Sequence, residues 1–238
     1  MIFTITKDPQ ALAQALADRL LLEAGAAMGQ NRPLRIALSG GSTPALFYEE
    51  LGRRSAAIPW SILHIYFSDE RAVPPDHPES NFGLAHALWL TKAPPHAHIY
   101  RIPGEQGADK AARYYDALLA TETLAVPFFD IVFLGLGTDG HIASLFPGTS
   151  LATQDRVVAV AATSMRSARI SLTLPTIVAA RTRIVLAQGS AKAARLRQSL
   201  TANDETPIAI LLKQAPVEFW LDQAAAEGVC PLPLSTRH

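Results

Sequence analysis

Cysteine is nearly absent from this chain: Cys230 is the only one in 238 residues. A lone thiol excludes an internal disulfide framework and any site built on a CxxC pair. An excess of one charge is missing too, because 21 Lys and Arg face 21 Asp and Glu. A general nucleic-acid binder would need a basic surface to neutralise phosphates. The longest apolar stretches, such as Ile208 to Leu212, fall far short of the roughly 20 residues that cross a bilayer. The opening MIFTITKDPQ has neither the basic start nor the apolar run of a secretory signal. There is no internal repeat, no low-complexity linker, no GxSxG nucleophile elbow and no Gly-Lys-Ser/Thr of a Walker loop. These absences leave the expectation of a cytoplasmic globular protein with no membrane or nucleic-acid partner.

What is present argues for a substantial core. The chain is 49% hydrophobic and 7% aromatic, too apolar for disorder, and a chain this long can bury about 70% of its unfolded surface. Short apolar runs recur, each ending in a Gly- or Asp-rich turn: Arg35 to Leu38, Ile62 to Phe67, Phe129 to Leu134 and Arg183 to Ala187. Runs without alternation suit strands buried on both faces, as in a parallel sheet covered by helices. Between them lie helical patterns over Pro9 to Met28, from Thr43-Pro44 to about Arg53, over Asp109 to Leu119 and over Ser190 to Leu200. In the second of these Thr43 reads as the N-cap and Pro44 as the first helical residue. The alternation predicts an α/β fold of one domain over 1–238: a doubly wound, mostly parallel, Rossmann-like sheet with helices on both faces. Val157 to Leu174 is more β-rich and predicts a local antiparallel addition.

Three segments carry chemistry. Ser39-Gly40-Gly41-Ser42-Thr43-Pro44 follows a strand and opens a helix, an arrangement that presents backbone N–H groups to an anion. Gly40 and Gly41 allow close approach, and Ser42 and Thr43 can donate hydroxyls to phosphate; an ordinary capped turn would read the same way. Ser68-Asp69-Glu70-Arg71, with Ser80-Asn81 after a proline-rich loop, closes another strand, where open α/β sheets bind ligands. Arg71 can fork onto a carboxylate or phosphate and Asp69 can accept from sugar hydroxyls, although a solvated cluster with a local Glu–Arg pair fits equally.

The third segment runs from Gly135 to Gly148 as GLGTDGHIASLFPG. Its first six residues match GxGxxG, and Asp155 lies about 20 residues on, which invites a dinucleotide reading. Pro147-Gly148 would break the following helix after about two turns, and Asp155 precedes the next apolar run instead of ending one, so NAD binding is rejected. There remains His141 beside a glycine-rich strand end, two residues after Asp139. Such a histidine can take a proton from water and return it to a leaving oxygen. His96 and His98 share a proline-rich loop with no clear third ligand, and His238 is terminal; no metal is expected.

Taken together and in order, these segments resemble the 6-phosphogluconolactonase family, which shares a superfamily with the glucosamine-6-phosphate deaminases. The matching pieces are SGGSTP at 39–44, SDERAVP at 68–74 with Ser80-Asn81, and GLGTDGHIASLFPG at 135–148. Weaker pieces are Arg169-Ile170-Ser171-Leu172-Thr173 and Gly189-Ser190-Ala191-Lys192-Ala193. Thr138 stands where the family usually has proline, and Ile142 where it has threonine. Deaminases continue past the histidine as Phe-Asn-Glu-Pro, whereas this chain reads Ser144-Leu145-Phe146-Pro147; they also carry Asp-Glu-Tyr in place of Asp69-Glu70-Arg71.

The resemblance implies hydrolysis of 6-phospho-D-glucono-1,5-lactone to 6-phosphogluconate in the oxidative pentose phosphate pathway, with no cofactor. It implies His141 as general base, with Asp139 orienting the imidazole or capping the turn. The phosphate would rest on Gly40, Gly41, Ser42 and Thr43, with Lys192 and Arg169 as candidate cations and Arg71 a third. Asp69 and Asn81 would complete the sugar site. The oxyanion donor is left open between N–H groups of the 137–141 turn and Arg71. A monomer is expected, and the rivals are a deaminase/isomerase or a non-catalytic sugar-phosphate-binding module.

Overall fold

A computed structural model describes residues 1–121, 128–164, 166–201, 203–227 and 229; Cys230 and His238 lie outside them. In chain order the strands are β1 (Ile2–Thr6), β2 (Leu34–Leu38), β3 (Leu63–Phe67), β4 (Asp69–Arg71), β5 (His98–Ile99), β6 (Ile131–Gly135), β7 (Val157–Val160), β8 (Arg169–Leu172), β9 (Thr182–Ala187) and β10 (Glu218–Asp222). The α-helices are α1 (Pro9–Gly29), α2 (Ser42–Arg53), α3 (Asn81–Leu88), α4 (Ala108–Thr121), α5 (Leu174–Val178), α6 (Ala193–Ser199), α7 (Pro207–Gln214) and α8 (Gln223–Ala226). Among the described residues no helix is long and apolar enough to cross a membrane.

Seven strands form one sheet in the order β1-β10-β9-β6-β2-β3-β5, every neighbouring pair parallel. From β2 the chain winds outward through β3 to β5, and from β6 it winds the opposite way through β9 to β10. Right-handed crossovers in opposite directions place their helices on opposite faces: α1, α2 and α3 on one, α4, α5 and α7 on the other. The strands are accordingly apolar on both sides, with Ile36, Leu38, Phe67, Leu134, Val185 and Phe219 all buried. On α1, Leu12, Leu16 and Leu20 turn the same stripe to the core, and Asp8 caps the helix by accepting from Ala11 N–H at 2.7 Å.

The doubly wound α/β architecture and its antiparallel addition agree with the sequence reading, and four details differ. Asp69–Arg71 is a strand, β4, pairing with β8, which in turn pairs with β7; only the position of the addition at Val157 to Leu174 was legible. Helix α2 starts two residues early, with Gly41 in the cap position and no side-chain cap, so Thr43 lies inside the first turn with its hydroxyl released from capping. The expected helix over Ser190 to Leu200 is split into a 3₁₀ turn at Ser190–Lys192 and α6. No helix follows GxGxxG: residues 136–145 fold back on themselves through bridges from Ile142 to Leu136 and Leu145.

At the amino end of the sheet, remote from these turns, His64 stacks on His98 with ring centroids 4.2 Å apart, and Arg35 stands opposite His64 across β2 and β3. Burial first, then His98 and Arg35, lower the His64 pKa to about 4. The unfolded value is about 6.5, so the folded state resists protonation. Its contribution is complete above about pH 6.5 and is lost as pH falls toward 4. Wild type should therefore lose more Tm across that window than His64→Gln, measured by circular dichroism. Parallel Tm profiles would contradict this.

Candidate active site

Strands β2 and β6 are neighbours paired only through Ile36–Ile131 and Ala37–Val132. Beyond that point β6 continues to Gly135 alongside β9 alone, so the two strands separate at their carboxyl ends. This is the point where the winding reverses, and open α/β sheets bind ligands in that crevice. A cavity of about 270 Å³ fills it, lined by Gly40, Gly41, Ser42, Thr43, Asp69, Arg71, Asn81, His141, Arg169 and Lys192, with Thr138 and Ala143 among the others. Every sequence-predicted site residue except Asp139 lines this one cavity, and Asp139 reaches it through His141.

The loop after β2 is held from three sides. Tyr48 on α2 donates its hydroxyl to the Ser39 carbonyl, and Gly135 N–H donates to Ser39 Oγ at 3.1 Å. A Cβ on Gly40 would fall 1.8 Å from Asn81 Oδ1, so the glycine is required by close packing against α3. Asn81 Nδ2 donates to the Asp69 carbonyl at 2.9 Å, while its Oδ1 is buried without a partner among the described residues.

Glu70 organises this corner and is buried, not part of the solvated cluster with a local Glu–Arg pair that the sequence also allowed. Its carboxylate accepts from Arg71 N–H (2.8 Å), Asn81 N–H (2.7 Å), Phe82 N–H (2.8 Å) and Ser80 Oγ (3.0 Å). Burial raises its pKa, against the lowering effect of these bonds. The side chain thereby ties β4 to the start of α3, where anionic oxygens are favoured by the helix dipole. Asp69, 4% exposed, accepts from Ser144 Oγ at 2.6 Å and from Ser68 Oγ and Asn81 Nδ2 at 3.3 Å. These donors are neutral, so its charge is directed to the cavity.

After β6 the chain makes the turn that carries the histidine. His141 Nδ1 lies 2.6 Å from Asp139 Oδ1, and His141 N–H donates to the same oxygen at 3.2 Å. Burial raises the Asp139 pKa, but the His141 charge and these bonds outweigh it and hold the carboxyl below its usual value. Asp139 therefore orients the ring with its Nδ1 occupied, which leaves Nε2 for chemistry. The ring rests against Phe146, centroids 4.7 Å apart. Two glycine N–H groups close the turn, from Gly137 to the His141 carbonyl (2.9 Å) and from Gly140 to the Gly137 carbonyl (3.1 Å).

Cations gather in the same cavity. Arg71 stands directly across the antiparallel ladder from Arg169, a like-charge pairing that is unfavourable by itself. Each has a buried Nε without a partner among the described residues. Burial and then Arg71 lower the Arg169 pKa, opposed by Asp69 and Glu79, with Arg166 lowering it further. Arg166, which the sequence reading passed over, lies 3.5 Å above the Phe146 ring; nothing in the sequence signalled that contact. Lys192 forms the third cationic group at the cavity. Two opposed arginines and a lysine around one cavity are a site for an anion.

Gly137 is the tightest test of this geometry. A Cβ there would lie 2.1 Å from His141 Nδ1 and 2.6 Å from Asp139 Oδ1. Gly137→Ala should therefore break the histidine–aspartate bond, and on the general-base role proposed below for His141 it should lower kcat by roughly 10²-fold or more. The far-ultraviolet dichroism should be retained. Wild-type turnover in this variant would contradict the arrangement.

A family model described as glucosamine-6-phosphate isomerases/6-phosphogluconolactonase matches residues 7–220. A 6-phosphogluconolactonase of Synechocystis is 37% identical over 206 residues, covering 82% of this chain and 85% of its own length. The human 6-phosphogluconolactonase is 35% identical over 238 residues, with 94% and 92% covered. The solved structure of 6-phosphogluconolactonase from Trypanosoma brucei has a TM-score of 0.82 at 28% identity and covers 96% of this chain and 98% of that one. Over nearly its whole length, then, this chain belongs to the glucosamine-6-phosphate isomerase/6-phosphogluconolactonase family, on the 6-phosphogluconolactonase side of it.

Proposed function

We propose that the cavity hydrolyses 6-phospho-D-glucono-1,5-lactone to 6-phospho-D-gluconate, the lactone step of the oxidative pentose phosphate pathway, with His141 as general base. The observation that carries this reading is one cavity holding both an oriented imidazole and an anion cradle. The lactone phosphate, with close to two negative charges, rests on the open N–H groups at the start of α2, between Gly40 and Thr43, with Lys192 and Arg169 as its cations. Asp69 and Asn81 take the sugar hydroxyls. Holding the remote phosphate spends binding energy on placing C1.

His141 removes a proton from water as the oxygen attacks C1, and Asp139 stabilises the imidazolium that forms. The tetrahedral intermediate collapses with cleavage of the bond from C1 to the ring oxygen, which takes the proton back from His141. Donors for the oxyanion are few. The N–H groups of Gly137, Gly140 and His141 are spent inside the turn and that of Asp139 on its own carboxylate, which leaves Thr138 N–H and the Arg71 guanidinium. Among the residues lining the cavity the carboxylate is Asp69, already tied to Ser144. Aldose–ketose isomerisation needs a carboxylate base between adjacent carbons and a further acid near the histidine; Phe146 stands where the deaminases carry that glutamate, so the second group is missing. The reading extends to a monomeric enzyme in the cytoplasm, the latter supported by a chain with one cysteine.

His141→Ala should lower kcat by about 10²–10⁴-fold and leave KM for the lactone near wild type, in an assay corrected for spontaneous ring opening. Undiminished turnover would remove the general-base assignment, and ammonia release from glucosamine-6-phosphate without lactonase activity would reassign the reaction. Lys192→Ala should raise KM more than it lowers kcat, as expected for a group that holds phosphate equally in ground and transition states. The reverse split would place Lys192 at the reacting carbonyl.

A further inference from the structure

Next to the histidine turn lies a buried ion pair for which the chemistry above has no use. Arg195 on α6 and Asp204 before α7 are each 7% exposed and pair through Nη2 and Oδ2. Arg195 Nε also donates to Ser199 Oγ at 3.3 Å and its Nη1 to Gln198 Oε1 at 3.2 Å. Asp204 Oδ1 accepts from Thr206 N–H at 2.9 Å, and Lys213 Nζ donates to the Asp204 carbonyl at 3.1 Å. Thr206 in turn packs on Gly140, where a Cβ would come within 2.7 Å of its side chain. Ile208 N–H donates to the Gly140 carbonyl at 3.2 Å. Gly140 is the residue between Asp139 and His141. A continuous chain of contacts thus runs from Arg195 through Asp204 and Thr206 to the peptide that joins the two members of the catalytic pair.

Buried ion pairs are poor devices for stability, because desolvation offsets their attraction and an apolar pair of similar volume often serves as well. A role in fixing the turn gives this one a reason to exist. Arg195 is also electrostatically linked to the turn: burial lowers its pKa and Asp139 raises it.

We infer that Arg195 is a positioning residue for the general base, acting with Asp204 to hold Gly140 and therefore the bond between Asp139 and His141. This rests on His141 being that base. Removing the cation should make His141 easier to protonate, and removing Asp204 should make it harder. The other charged groups around the imidazole are Asp139 on its own turn, Asp69 and Arg71 from β4, Arg169 from β8, Arg166 across Phe146, and Lys192 before α6. None of these is altered by the variants below.

The test is the pH dependence of kcat/KM for Arg195→Met and Asp204→Asn, with folded fraction measured by circular dichroism. In Arg195→Met the acid limb should move up by roughly half a unit, and in Asp204→Asn it should move down, as expected for a charge acting at short range through the protein. Per folded molecule kcat should fall about tenfold in each, with KM within about twofold of wild type. A purely structural pair would lower activity without moving the limb in opposite directions, and that result would overturn the inference. If Arg195→Met does not fold, Arg195→Lys decides with Asp204→Asn: charge is kept and the fork is lost, so the limb should stay while kcat falls, and wild-type kcat would overturn the inference. Should His141→Ala retain activity, the general-base reading itself fails; should it be inactive while both pair variants match wild type, only the role of Arg195 fails.

Discussion

The reversal of winding between β2 and β6 is the constraint on which the site depends. Two parallel strands whose chains leave in opposite directions cannot both be covered by one connection, so their carboxyl ends open onto solvent. Here the opening begins after Ala37 and Val132, where pairing stops. Each strand then delivers a glycine-rich turn into the same gap: one opens α2 with unpaired N–H groups, and the other folds back on itself through Ile142 to set an imidazole at the rim. Segments about 100 residues apart in sequence meet because the sheet leaves them nowhere else to go. The second, antiparallel sheet adds Asp69 and Arg71 of β4 and Arg169 of β8 to the cavity lining.

The cavity gathers Arg71, Arg169 and Lys192 with His141 in one lining. Two guanidinium groups face each other across a ladder at a cost that a bound anion offsets, and Arg169 and the imidazole both lie against Phe146. Buried carboxylates stabilise the frame beside them: Glu70 gathers four donors at the start of α3, and Asp69 is held by hydroxyls and an amide.

Much of this was legible in the sequence. Unalternating apolar runs marked the central strands, and of the eleven site residues named from the sequence all but Asp139 line the cavity. Local patterns failed where tertiary contacts decide. β1 joins the sheet only by pairing with β10, a contact between segments more than 200 residues apart. Three residues, Asp69 to Arg71, are too few to read as a strand and become one only against β8. The helix expected after GxGxxG is replaced by a fold-back because Ile142 is drawn into the core. Glu70, Arg166 and Arg195 act through partners 10 residues or more away or on other elements, and no short-range spacing marks such pairings.

The most direct test of the proposed binding mode is a crystal structure of His141→Ala with 6-phosphogluconate bound. The phosphate should sit on the N–H groups between Gly40 and Thr43, near Lys192, with C1 directed to the position vacated by the imidazole and within about 3–3.5 Å of an ordered water there, a near-attack distance. A reversed ligand, with its phosphate beside residue 141 and its carboxyl on the α2 loop, would contradict the proposal.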